Sequence, residues 1–190
     1  MVSGRASADE TKRGEIKANI RPGCIIHTFC GFLENPRPKF VVVLYVDRKY
    51  DVLLIFIVNS KIPPFIENDE HLKSGQVLLE QATYTFLDHD SFLNCTEVRD
   101  ELDMDAVLDH LLEVPGDYKG ELKDAEKNEI ALFVKKAQTI SEDEKALIIK
   151  SLGKKKRPIN HIGLFIDCFF VNQSLSFYPH PAGDFILLTR

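Results

Sequence analysis

The apolar residues in the first third of the chain form short segments separated by turn-forming residues. Cys24–Phe29 is typical of a short strand, and a proline-rich turn follows it. Phe40–Val46 and Val52–Val58 are nearly continuous in β-branched, aliphatic and aromatic residues, and the loop 47–51 separates them. We therefore expect a hairpin of two central strands that are covered on both faces.

Shorter apolar segments follow a loop at residues 60–70 that contains two adjacent prolines. Gln76–Leu79 and Thr83–Leu87 predict two further short strands, and Phe92–Cys95 predicts another. The β part of the chain is thus expected to end near residue 95.

Helical spacing of apolar residues replaces the strand pattern after residue 100. Asp103 can cap a first helix, which Pro115-Gly116 would end. A second helix is predicted over residues 123–138. A third begins at the capping box formed by residues 141–144 and ends at Gly153. Together, the strands and helices predict an α+β fold that is mainly β.

The two ends of the chain differ in composition from its middle. Residues 1–20 are polar and predict a flexible N-terminal arm or a short helix. The middle, residues 21–153, carries the predicted strands and helices. A basic run opens residues 154–190, an apolar extension in which 161–171 and 185–189 predict strands.

Composition narrows the class of protein. The chain has 190 residues, of which 44% are hydrophobic and 28% charged, as in ordinary globular domains. Its longest apolar runs have seven residues, whereas a membrane-spanning helix needs about 20. No long apolar segment opens the chain, and four cysteines are too few for a disulfide scaffold. We expect a soluble cytoplasmic protein without a membrane partner.

The net charge of −5 is unevenly distributed. Residues 67–144 hold 21 acidic and 7 basic side chains, whereas the rest of the chain has a net charge of +9. Residues 1–66 alone hold 10 basic and 6 acidic side chains. The basic excess is compatible with an anionic partner, and the acidic segment is equally typical of solvent-facing helices.

Two histidine-containing clusters resemble reactive sites. Cys24-x-x-His27-x-x-Cys30 has metal-ligand residue types, but Cys24 and His27 would point to opposite faces of a strand. His89 lies in Asp88-His89-Asp90-Ser91, a run of polar residues that favours a turn over a catalytic triad. Glycine-rich phosphate loops are absent from the sequence. We therefore expect no metal ligands and no cofactor.

A more informative group of residues lies at one end of the predicted hairpin. Arg37 and Lys39 precede its first strand, and Asn59, Ser60 and Lys61 end its second strand. Because the start of one hairpin strand lies beside the end of the other, Arg37 or Lys39 should lie near Ser60 and Lys61. A basic group beside a hydroxyl can hold a phosphate and stabilise charge on a phosphoryl group.

Residues 21–152 resemble the MazF/PemK toxin family of small ribonucleases, which have an SH3-like β-barrel followed by C-terminal helices. The proline-glycine and apolar opening of that family resembles Arg21–Ile26, and its Arg-Pro loop before a valine-rich strand resembles Arg37–Val43. Its strand ending in a Thr/Ser pair is similar to Asn59–Lys61, and its closing helices resemble residues 120–152.

The resemblance implies metal-independent cleavage of single-stranded RNA, with the ribose 2′-hydroxyl as nucleophile. Arg37 and Ser60 would be the catalytic residues, and Lys39, Asn59 and Lys61 would contact RNA. Lys39 separates Arg-Pro from the apolar strand, so either Arg37 or Lys39 fills the basic position. Asn59 stands where the family usually has threonine. The expected partners are single-stranded RNA, an antitoxin protein of a toxin–antitoxin system and a second copy in a homodimer.

The alternative function is a non-catalytic SH3-like module that binds another protein. Its proline-rich loops and acidic helices would form the interaction surface. Cleavage of RNA in the presence of EDTA distinguishes the two functions.

Overall fold

The computed structural model describes residues 3–153. Its helices are α1 (Ser3–Asn19), α2 (Pro64–Glu67), α3 (Glu70–Lys73), α4 (Met104–Glu113), α5 (Asp124–Lys136) and α6 (Glu142–Leu152). Its strands are β1 (Cys24–Cys30), β2 (Arg37–Asp47), β3 (Val52–Asn59), β4 (Gln76–Leu79), β5 (Ser91–Arg99) and β6 (Tyr118–Glu121). A short 3-10 helix covers Pro115–Asp117.

The six strands form one curled, half-barrel antiparallel sheet in the order β4-β5-β3-β2-β1-β6. The predicted hairpin is confirmed, since β2 and β3 pair with Val42 opposite Phe56. The last strand, β6, returns to pair with β1 and places Gly120 opposite Ile25. The molecule is therefore α+β with a large β component, as expected.

The central strands are buried on both faces, as their continuous apolar sequence predicts. Val41 and Val43 of β2 belong to a core that α1 and α4 cover, which we call the α1/α4 face. Their neighbours Val42 and Leu44 belong to a second core beneath α5 and α6, which we call the α5/α6 face. Alternation along one strand thus supplies side chains to both cores.

The N-terminal residues form a helix, which is the second of the two alternatives for residues 1–20. Ile16 of α1 packs against the α1/α4 core. Arg13 forms ion pairs with Asp105, at 2.7 Å, and with Asp109 of α4. These contacts attach α1 to α4 and make it part of the folded domain.

The helix boundaries follow their capping residues. The carboxylate of Asp103 accepts hydrogen bonds from the backbone N–H groups of Asp105 and Ala106 and caps α4. Ser141 and Glu144 form the predicted capping box of α6, which ends at Gly153. Each cap is formed by residues within a few positions of one another, so the sequence alone was sufficient to predict these helix ends.

Three segments differ from the prediction. The loop expected at residues 60–70 contains the short helix α2. The strand expected at Thr83–Leu87 is wrong, because the chain forms turns there and buries Tyr84 and Leu87 without any sheet pairing. The Tyr84 hydroxyl instead accepts a hydrogen bond of 3.1 Å from the backbone N–H of Lys123. The strand β6 was missed, since its four residues include lysine, glycine and glutamate and carry no apolar alternation.

None of the helices within residues 3–153 is long and apolar enough to cross a membrane. The strands expected at 161–171 and 185–189, and the extension 154–190 as a whole, lie outside the described residues.

Candidate functional site

A gap opens between β2 and β3 at the end of the hairpin. The pairing of the two strands ends at Val41 opposite Ile57. Beyond that pair, the ammonium of Lys39 donates hydrogen bonds to the Asn59 side-chain oxygen at 2.8 Å and to the Val58 carbonyl at 3.3 Å. The half-buried Lys39 thus connects the start of β2 to the end of β3, beyond their last paired residues.

A cavity of about 210 Å³ lies at this gap, and we call it the Lys39 cavity. It is bounded by β1, by the ends of β2 and β3, and by the turn that precedes β5. Its lining consists of His27, Pro38, Lys39, Phe40, Val58, Asn59, Ser60, Leu87, Asp88, His89 and Ser91. The wall therefore combines one cation, one carboxylate, one amide, two imidazoles and two hydroxyl groups with apolar side chains.

The environment of Lys39 disfavours its charged form. Burial lowers the pKa of the Lys39 ammonium, and the positive charge of Arg37 lowers this pKa further. A phosphate in the cavity would restore a counter-charge to this ammonium. Lys39 is therefore suited to bind an anion and to exchange a proton more readily than an exposed lysine does.

The structure brings together three of the five residues singled out from the sequence. Lys39, Asn59 and Ser60 all line the cavity, and Ser60 is exposed there. Arg37 is exposed opposite Cys30 of β1, and its positive charge acts on Lys39. Lys61 is exposed just beyond β3, and neither it nor Arg37 is among the lining residues.

A second polar cluster adjoins the cavity through His27. Nδ1 of His27 lies 3.3 Å from one carboxylate oxygen of Asp117, and Nε2 of His110 lies 2.8 Å from the other. Lys119 forms an ion pair of 3.1 Å with the same carboxylate. This cluster joins β1, α4, the 3-10 helix and β6.

Asp117 is the centre of this cluster and is held in its charged form. Burial alone would raise the pKa of its carboxyl group, but hydrogen bonds from Lys119 and His110 outweigh burial and lower the pKa overall. Its side chain is 15% exposed. A charged carboxylate fixed in this way can orient an imidazole that it contacts.

The opposite wall of the cavity contains His89 and Ser91. The chain bends at Asp88 and His89, within the turn predicted for residues 88–91, whereas Ser91 already begins β5. Nδ1 of His89 lies 3.0 Å from the Asp90 carbonyl and 3.3 Å from the Ser91 hydroxyl. A residue that the sequence placed in a structural turn thus also borders the candidate site.

The cysteines near His27 do not form a metal site. Cys24 and Cys30 are buried in the α1/α4 core, whereas His27 packs on Phe40 at the other face, with 4.7 Å between ring centres. Within residues 3–153, no three His, Cys, Asp or Glu side chains are arranged to hold a metal ion. The expectation that Cys24 and His27 diverge is confirmed.

The sequence did not identify His110 and Asp117. Asp117 follows a predicted helix stop, and His110 lies in the last turn of α4, so each had an ordinary local explanation. Their contact with His27 spans 83 to 90 residues. No local spacing signals such a contact.

Comparisons of the chain with protein-family models, curated proteins and solved structures found no match. What the site can do must therefore be argued from its own groups. A half-buried ammonium with neighbouring hydroxyl and amide groups can hold a phosphoryl group, and imidazoles can move protons to and from it.

Proposed function

We propose that this protein is a metal-independent endoribonuclease that cleaves single-stranded RNA in the Lys39 cavity. The observation that carries the proposal is the half-buried Lys39 ammonium, held at 2.8 Å by Asn59 beside the hydroxyl of Ser60. Positive charge that is already in position before the reaction stabilises the charge that develops on phosphoryl oxygens.

The proposed reaction uses the RNA as its own nucleophile. The 2′-hydroxyl attacks the adjacent phosphorus and the bond from phosphorus to O5′ breaks, which leaves a 2′,3′-cyclic phosphate and a free 5′-hydroxyl. Lys39 stabilises the phosphoryl oxygens, and Ser60 donates a hydrogen bond to one of them. DNA lacks the nucleophile and is not cleaved.

Lys39 rather than Arg37 fills the basic position in this proposal, because Lys39 lines the cavity. Arg37 is exposed at the start of β2 and is suited to contact the RNA backbone. Lys61, exposed beyond β3, would make a similar contact. Both would strengthen binding without touching the reacting phosphorus.

The family-level part of the proposal concerns fold and partners. We propose that the curled sheet is an SH3-like barrel and that the protein is the toxin of a toxin–antitoxin pair, acting as a homodimer. The antiparallel order, in which β1 lies between β2 and β6, supports the barrel. The basic excess in residues 1–66 supports an RNA partner and an acidic inhibitor.

A groove on another part of the surface favours the competing function, a non-catalytic protein-interaction module. This groove has a volume of about 460 Å³ and is lined by residues of the α2–α3 region, β5 and the start of α6, among them Phe65, Glu97 and Glu144. Phe65 is 70% exposed. A mixed apolar and acidic surface of this kind suits a peptide better than RNA.

The test is cleavage of an end-labelled single-stranded RNA in EDTA, beside DNA of the same sequence. We expect the wild type to cleave only RNA and to leave cyclic phosphate ends. Lys39→Ala should lower kcat by about 100- to 1,000-fold and Ser60→Ala by about 100-fold, because each removes a group that stabilises the transition state.

Lys136→Ala is the matched control, since Lys136 is exposed at the end of α5 and should leave the rate unchanged. Intact RNA with the folded wild type would contradict the enzyme and favour the interaction module. Cleavage by Lys39→Ala at the wild-type rate would contradict this location of the site.

A further inference from the structure

One imidazole of the Lys39 cavity is held from behind by a carboxylate. His27 lines the cavity, and its Nδ1 lies 3.3 Å from Asp117. Its ring packs on Phe40, which itself packs on Phe86 with 5.1 Å between ring centres. These contacts fix both the ring plane and the nitrogen that Asp117 engages.

We propose that His27 is a catalytic residue that accepts the proton of the RNA 2′-hydroxyl, and that Asp117 is its positioning residue. This inference rests on the proposed ribonuclease function and assigns the proton transfer that the function requires. Neither residue was singled out for catalysis by the sequence.

The geometry supports this role because it assigns different tasks to the two ring nitrogens. When Nδ1–H donates to the Asp117 carboxylate, the neutral imidazole keeps its lone pair on Nε2. The His27 side chain is 34% exposed, so it is accessible from the cavity. A carboxylate at Nδ1 also stabilises the imidazolium that forms when Nε2 accepts a proton.

Asp117 is itself fixed by groups from other elements. His110 of α4 contacts its second oxygen, and Lys119 of β6 pairs with its first. His110 also lies 3.2 Å from the His27 carbonyl oxygen, so α4 holds the backbone as well as the carboxylate at this point. An orienting carboxylate that is held on both oxygens cannot easily turn away from His27.

Charged and titratable groups face His27 from every side. Asp117 and His110 lie behind it, and Lys119 lies beyond Asp117. Asp88, His89 and Lys39 share the cavity wall with it. Any dependence of the rate on pH will therefore report on this set of groups acting together.

The proton balance of the step is complete within the cavity. Nε2 of His27 takes the proton of the 2′-hydroxyl as that oxygen forms its bond to phosphorus. The bond from phosphorus to O5′ breaks, and O5′ takes a proton from the protonated imidazole of His89 on the opposite wall. The two histidines end the step with exchanged protonation states, and water restores them before the next turnover.

The first test compares His27→Asn with His71→Asn in the RNA cleavage assay. His71 of α3 packs on Phe133, outside the cavity, so its variant is the matched control for loss of a histidine. We expect His27→Asn to lower kcat by about 100- to 10,000-fold and His71→Asn to leave it unchanged. Circular dichroism and thermal melting establish that each variant is folded.

A modified RNA separates the two proton transfers. When O5′ at the cleavage site is replaced by sulfur, the leaving group needs no proton. His89→Asn should then cleave this RNA at close to the wild-type rate, whereas His27→Asn should remain slow because the nucleophile still has to lose its proton. Recovery of His27→Asn on the sulfur substrate would overturn its assignment as the base.

The positioning role of Asp117 has its own test. Asp117→Asn should lower kcat by about 10- to 100-fold and change KM by less than about threefold. Asp117→Glu keeps the carboxylate and should restore part of kcat. An Asp117→Asn enzyme with an unchanged kcat and pH profile would overturn this role.

These experiments distinguish failure of the ribonuclease function from failure of the role of His27. If the wild type cleaves no RNA, the ribonuclease function fails and the inference fails with it. If the wild type cleaves RNA and Lys39→Ala does not, but folded His27→Asn matches the wild type, then the site stands and the role of His27 is overturned.

Discussion

The two faces of the sheet are closed by different means. On the α1/α4 face, two helices are attached to each other and to the β2–β3 loop by charged groups. Arg13 pairs with α4, and Arg48 donates to the carbonyls of Lys17 at 2.8 Å and Ile20 at 3.2 Å. On the α5/α6 face, aromatic side chains of the turn segment 80–90 pack on the sheet beside the two helices. Phe40 packs on Phe86, and Phe86 lies 6.0 Å from Tyr84.

This difference explains where a site can form. Arg48 caps the C-terminal end of α1 by donating hydrogen bonds to backbone carbonyls there, which attaches this helix to the sheet. The turn segment 80–90 has no sheet ladder to fix it, and it contributes Leu87 and His89 to the Lys39 cavity. We infer that paired helices stabilise the scaffold while the turn segment shapes the cavity.

Loss of an aromatic side chain beneath α5 and α6 should have the largest effect on the free energy of unfolding. Phe56 is fully buried in that core. Phe56→Ala should lower the free energy of unfolding by about 3–5 kcal/mol, because it removes contacts and leaves a cavity. Urea denaturation measures the change.

Phe65→Ala is the matched control, since the same change at an exposed position should cost less than about 0.5 kcal/mol. Equal destabilisation by the two variants would show that the core beneath α5 and α6 is not closed as described.

Buried thiols offer a separate readout for each face. Burial raises the pKa of Cys24 to about 12 and that of Cys30 to about 11, and both lie in the α1/α4 core. Burial also raises the pKa of Cys95, which lies in the α5/α6 core. Since the thiolate is the reactive form, a rise from 9.0 to about 12 lowers its population about 1,000-fold.

We therefore expect all three thiols to react with iodoacetamide at least about 100-fold more slowly in the native protein than in urea. Peptide mass spectrometry follows each cysteine separately and distinguishes them from Cys168. In Phe56→Ala, the labelling rate of Cys95 should rise more than that of Cys24, because the α5/α6 face opens first. Equal increases would mean that the two faces open as one unit.

Local elements and tertiary packing differ in how far the sequence predicts them. The β2–β3 hairpin and the caps of α4 and α6 depend on residues within a few positions of each other, and all were predicted. The turn segment was predicted as a strand because Tyr84 and Leu87 are apolar. In the structure these two side chains are buried in the α5/α6 core, and the segment forms no strand. Tertiary packing there overrode a local pattern.

The same distinction applies to the candidate site. Hairpin pairing makes strand ends neighbours, and from it we expected Arg37 or Lys39 near Ser60 and Lys61. In the structure Lys39 and Ser60 line one cavity together with Asn59, whereas Arg37 and Lys61 do not. The contact between His27 and Asp117 depends on how β6 and α4 pack against β1, and nothing near either residue in the sequence indicates it. The pairing of two hairpin strands can be predicted from neighbouring residues, whereas the packing of elements that are distant in the sequence cannot.

The smallest predicted effect concerns Asp117, which connects the two faces by joining α4 to His27. Because its pKa in the folded protein lies below the ordinary value of 3.8, the unfolded chain binds its proton first as the pH falls. The stability that Asp117 contributes is therefore fully present above about pH 5 and is lost as the pH falls through the lowered pKa.

We expect wild type to be more stable than Asp117→Asn at pH 7, by less than the cost of Phe56→Ala, and this advantage to shrink between pH 5 and pH 3. Urea denaturation of both proteins across that range measures it. Added salt should change the difference only slightly at pH 7, because the Asp117 side chain is 15% exposed and buried pairs are weakly screened. If the advantage grew as the pH fell, the protonated carboxyl group would be the favoured form. Asp117 would then donate a hydrogen bond, and its charge would neither orient His27 nor link the two faces.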